Sequence, residues 1–106
     1  MIYINGVPWR ISIVSPDNSM LRRPNGTYSI GVCDNTLLTI FISGGLNPHK
    51  LKNVICHEIA HAVMFSYNLQ LSVQQEELMA ELIANYGEEI LRQTKKVYNK
   101  IKESLY

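Results

Sequence analysis

The sequence has no apolar run approaching the ~18 residues of a membrane span, and Met1-Ile2-Tyr3-Ile4-Asn5-Gly6 lacks the basic start and apolar stretch of a secretory signal. A cytoplasmic chain is the expectation. Cysteine is scarce: Cys33 and Cys56 are too few for a disulfide framework and read as buried thiols. An excess of charge of one sign is also missing. Ten Lys and Arg against nine Asp and Glu leave a formal charge of +1, so no global field recommends nucleic acid or a membrane surface as partner. Any partner must be recognised locally. What is present is 106 residues, 46% of them apolar and 18% charged, which is chain enough for one domain, 1–106, with one core.

The first half reads as β. Ile2-Tyr3-Ile4 and Trp9 to Val14 flank Asn5-Gly6, a pair that accepts the positive φ angles of a tight hairpin, and Pro8 suggests an edge position. From Ser15 to Thr27 the chain turns to Ser, Pro, Asp, Asn, Arg and Gly without periodicity, which is the composition of a mobile loop. Tyr28–Cys33 and Thr36–Ser43 are rich in β-branched and aromatic residues and meet at Asp34-Asn35, a second hairpin signal.

The second half reads as helix. Asn47-Pro48 combines a capping side chain with a proline that loses nothing at the first helical position, and Asn68 supplies a left-handed stop. Ser72-Val73-Gln74-Gln75 has the spacing of a capping box. Gly87 is expected to bend or break this second helix. Ile90, Val97, Tyr98, Ile101 and Leu105 then recur at three- and four-residue steps, predicting a third amphipathic piece docked on the domain. Arg92, Lys95, Lys96, Lys100 and Lys102 read as its solvated face, diluted by Glu88, Glu89 and Glu103, and give no strong nucleic-acid signal. The predicted architecture is α+β: a small, mostly antiparallel sheet packed on one helix and its two successors.

The chemistry concentrates in His57-Glu58-Ile59-Ala60-His61. Residues four apart lie on one helical face, so both imidazoles can reach one ion while Glu58 flanks it, the arrangement of a zinc hydrolase. With the histidine and glutamate content of this chain the pattern arises by accident about 0.005 times. Its neighbours Val54, Ile55, Cys56, Ile59, Ala62 and Val63 are apolar or small, surroundings in which two histidines and a carboxylate need partners.

A catalytic zinc ion takes three protein ligands as a rule, so a third is required. His49 lies eight residues before His57, roughly 12 Å along a continuous helix, and cannot share the ion. The candidates are Glu76, Glu77 and Glu81. A helical wheel groups Glu77 and Glu81 with Asn85, Glu88 and Arg92 on a polar face, whereas Glu76 falls among Met79, Ala80, Leu82, Ile83 and Tyr86. The out-of-place charge, Glu76, is therefore the expected ligand, with Glu77 the competing choice.

His57-Glu58-x-x-His61 followed by Glu76-x-x-Met79-x-x-Leu82-Ile83 resembles the compact gluzincin-type metallopeptidases, in particular the small ImmA/IrrE-like proteins of phages and mobile elements. The preceding Ile4-Asn5-Gly6, Trp9-x-Ile11 and Gly31-x-Cys33-Asp34 stretches are similar too, so the likeness spans roughly residues 4–91. It implies a minimal zincin-like fold, zinc held by His57, His61 and Glu76, Glu58 as general base, and a peptide or protein substrate aligned along an exposed strand edge. For that edge Thr36–Ser43 is the expected strand, and Tyr67 or Tyr86 are candidates to stabilise an oxyanion. The rival expectation is a zinc-containing regulatory or binding module with little or no hydrolysis.

Overall fold

The computed structural model describes residues 1–105, and the side chains of residues 1–104. The elements in chain order are β1 (Ile2–Ile4), β2 (Val7–Val14), a 3₁₀ turn (Ser19–Leu21), β3 (Gly31–Asp34), β4 (Thr39–Ser43), α1 (Pro48–Ser66) and α2 (Val73–Leu105). The class is α+β, with a four-stranded sheet in the order β1-β2-β4-β3.

Asn5 and Gly6 both take positive φ, 49° and 76°, and close the antiparallel β1–β2 hairpin. The sheet is mixed. β4 pairs antiparallel with β3 but parallel with β2, from Arg10↔Thr39 to Val14↔Ser43. The chain between β2 and β3 carries it across the sheet, and Leu21 in its 3₁₀ turn is fully buried. Leu21, in an otherwise largely polar stretch, is the anchor that composition missed. β2 is interior, yet Pro8 sits in the part of it that precedes the β4 register, where a missing amide costs no ladder bond. Because β4 lies between β2 and β3, the free edge on that side is β3 and not the Thr36–Ser43 segment.

Both helix starts follow their local signals. The Asn47 side chain accepts from the Lys50 amide at 2.8 Å, and Ser72 and Gln75 exchange reciprocal side chain–backbone bonds at 3.1 and 2.9 Å. Asn68, at φ 53°, ends the α1 segment. Trp9, Ile40, Ile42, Val54 and Ala62 form the core between sheet and α1. The Trp9 indole N–H donates to Ser66 Oγ at 2.8 Å, pinning the hairpin to the end of α1. A second cluster, Ala60, Met64 and Ala80, joins α1 to α2, where two alanines permit close approach.

Gly87 does not interrupt α2, which runs unbroken for 33 residues. Nor does its last part dock on the domain. The antiparallel α1 covers α2 as far as the Lys52–Glu88 ion pair, and every described residue from Glu88 to Ser104 is exposed, Ile90, Val97, Tyr98 and Ile101 included. A continuous helix makes Gly87 a simple entropic weak point. Gly87→Ala is expected to stabilise the protein by about 0.5–1 kcal/mol in urea unfolding, since the added methyl meets only Ile83 Cγ2, at 3.6 Å. A lower unfolding midpoint would mean that the glycine is needed for a bend.

Candidate metal centre

α1 presents different residues to each neighbour, because successive residues turn by about 100°. His57 and His61 face α2; Val54 and Glu58 face the sheet at Gly31. A Cβ built on Gly31 would lie 2.7 Å from Val54 Cγ1, 3.0 Å from Glu58 Cγ and 3.1 Å from Glu58 Oε2. The absent side chain of Gly31 is the space into which Glu58 fits.

The two imidazoles bring Nε2 atoms within 3.3 Å of each other. Glu77 straddles them, with one carboxylate oxygen 3.0 Å from His61 Nε2 and the other 3.4 Å from His57 Nε2. Two donors bound to one tetrahedral ion at about 2.0–2.1 Å are themselves about 3.3–3.4 Å apart. The contacts are of that order, and with one donor atom from each residue lying within 4.8 Å of the others, His57, His61 and Glu77 could hold a metal ion together. The donor set of two imidazoles and one carboxylate fits zinc.

Glu76 is close by but differently used. Its carboxylate lies 2.7 Å from His61 Nδ1, on the opposite side of the ring from Nε2. An imidazole that donates from Nδ1 to a carboxylate presents its lone pair at Nε2, so Glu76 fixes the ligating tautomer and the ring orientation. The group that could hold an ion thus contains Glu77, whereas the wheel points to its neighbour Glu76. The wheel found the side of α2 that turns into the helix–helix interface, where Glu76 is the less exposed of the pair at 33% against 53% for Glu77. The Nε2 atoms meet at the rim of that interface instead, where the more exposed Glu77 stands. Glu81, a turn later, lies outside the group. His49 lies at the far end of α1, in a groove with Lys52 and Asn53.

Glu58 is 7% exposed. Burial pushes its carboxyl above the usual glutamate range, the neighbouring histidines pull it partly back, and Glu77 pushes it up again. A raised carboxyl holds its proton into the pH range where free glutamate has lost it, so the fold loses stability as pH rises through that interval.

His57, Glu58, His61, Glu76 and Glu77 line one side of a cleft of about 470 Å³, and Arg23, Ser29, Gly31, Cys33 and Asn35 line the other. The Ser29 hydroxyl donates to the Gly31 carbonyl at 2.6 Å and accepts from the Gly31 amide at 3.3 Å. Those backbone groups accordingly turn away from β4, and by the two-residue alternation of a strand so do those of Cys33. Burial, reinforced by Glu58, Glu76 and Asp34, pushes the Cys33 thiol up to about 12, which keeps it protonated and unreactive at neutral pH. Tyr67 and Tyr86, both exposed, are not part of the lining. Arg23, Ser29 and Asn35 escaped the sequence reading, because only the crossing of the chain between β2 and β3 brings them to the helix.

Comparison with protein-family models, with curated proteins and with solved structures finds no match to this chain.

Two measurements test the geometry. In divalent-metal titrations Glu77→Gln is expected to lose most of the affinity. Glu76→Gln is expected to keep one site per chain weakened roughly 10–100-fold, as for other carboxylates that orient a ligating histidine; the reverse ranking would return the ligand role to Glu76. Gly31→Ala is expected to destabilise the protein by about 1–3 kcal/mol through overpacking against Val54 and Glu58. Wild-type stability in thermal or urea unfolding would show that Glu58 does not need that space.

Proposed function

We propose that this chain is a zinc-dependent metallopeptidase. The observation that carries the reading is the joint placement of His57, His61 and Glu77 within ligand distance of one another beside a buried Glu58, all opening on one cleft. Zinc, when bound there, supplies Lewis-acid polarisation of a carbonyl and draws the pKa of water toward about 7. His57 and His61 serve as neutral nitrogen donors, with Glu76 holding the His61 tautomer. Glu58 takes a proton from the attacking water and delivers it to the departing amine. Burial moves its pKa upward from the usual carboxylate range, the direction that favours a general base.

The free edge of β3 offers the place for an extended peptide. Antiparallel pairing is slightly the stronger mode per residue, and main-chain bonds of that kind give affinity without side-chain pockets. This suits a domain with little chain to spare for walls. No helix among the described residues is long and apolar enough to cross a membrane.

The test is zinc content together with cleavage of a broad peptide mixture by wild type and Glu58→Gln. The variant should keep its zinc and lose at least ~10²-fold in turnover. Equal turnover would remove Glu58 from the chemistry. Full zinc occupancy with no cleavage by wild type would favour a zinc-containing binding module.

A further inference from the structure

We propose that Arg23 is the specificity determinant of this cleft and binds a carboxylate carried by the peptide on the C-terminal side of the scissile bond. The inference rests on the peptidase reading above and adds its substrate class.

Arg23 is held on a built turn. Its amide donates to the Thr27 carbonyl at 2.8 Å, its carbonyl accepts from the Gly26 amide at 3.0 Å, and Arg22 bridges to Tyr28. The Asn25 side chain accepts from the Thr27 amide and hydroxyl at 3.0 and 2.7 Å. Below the turn, buried Leu21 accepts from the Ser29 amide at 2.8 Å, tying its base to the approach of β3. The turn is thereby fixed beside the cleft that Arg23 lines.

Charge then singles this residue out. The lining acids are already engaged: Glu76 with His61, Glu77 with both imidazoles, and Glu58 buried against Gly31. Arg23 is the one arginine or lysine of the lining, and among the described residues it takes part in no ion pair. A guanidinium presents a planar fork of donors that matches a carboxylate bidentately.

Strand direction says which side of the substrate meets it. Arg22 pairs with Tyr28, three residues before Gly31, so Arg23 stands off the N-terminal end of β3, while Asn35 follows its C-terminal end. A peptide added antiparallel to β3 places its C-terminal residues at the Arg23 end. The carboxylate belongs either to an Asp or Glu side chain there or to the peptide's own C-terminus.

The experiment uses zinc-loaded Glu58→Gln protein, which binds without turning over, and three forms of one extended apolar octapeptide. One has a free C-terminus, one is amidated, and one is amidated with Glu scanned through its C-terminal half. Binding is read by calorimetry. At least one carboxylate-bearing form is expected to bind roughly 10–100-fold more tightly than the neutral amide, the range for hydrogen bonds to a charged group. Arg23→Ala should abolish that margin while leaving the neutral peptide unchanged, Arg23→Lys should keep part of it, and Arg22→Ala should keep all of it. A margin confined to the free acid assigns the terminal carboxylate, and one confined to a Glu position assigns the side chain. Equal binding of all three forms by the Glu58→Gln protein, or an equal loss for all three when Arg23→Ala is added to it, overturns the role of Arg23 and leaves the peptidase reading standing. No binding of any form, with zinc retained, overturns both.

Discussion

His61 is flanked by a carboxylate on each side of its ring, and the site depends on that. Glu76 lies 2.7 Å from Nδ1 and Glu77 3.0 Å from Nε2, two consecutive residues of one helix bracketing a single imidazole of another. The Nδ1 contact sets the tautomer, and the two contacts together set the rotation of the ring and the position of α2 along α1. The bracket works because Ala60 and Ala80 let the helices come close just beside it. A larger side chain at either place would part the carboxylates from the ring.

The opposite flank of α1 is set by a different constraint, the missing side chain at Gly31. Glu58 needs room on the sheet side, a dry surrounding to keep its carboxyl raised, and access to the cleft. β3 meets all three demands because it is an edge strand: its β4 side completes the sheet and its free side borders the cleft. The same edge carries Cys33, whose burial keeps it an inert part of the wall. A helix packed between an edge strand and a second helix thus turns its two imidazoles toward α2 and its buried carboxylate toward β3.

α2 outgrows this arrangement. Its first turns build the site and its middle is tied to α1 by Asn53, which donates to the Ala84 carbonyl and Asn85 Oδ1, and by the Lys52–Glu88 pair. Past Leu91 the helix has no α1 beneath it, although its apolar stripe continues. Local pairs such as Glu89 with Arg92 support it there.

The sequence by itself determined what is decided within a few residues. The Asn5-Gly6 turn, the Asn47 cap, the Ser72–Gln75 capping box and the shared face of His57 and His61 all follow from backbone preference and helical period. It could not determine which strand is free, because the parallel β2–β4 pairing is a contact between distant segments that places Thr36–Ser43 inside the sheet. It could not separate Glu76 from Glu77 either. A wheel ranks residues around one helix axis, but which carboxylate stands beside the Nε2 atoms depends on how far α2 slides and turns on α1, where two alanines pack across the interface. The amphipathic tail shows the same division: periodicity predicted a helix with an apolar face, and only the length of α1 decided that the domain has nothing to lay against it.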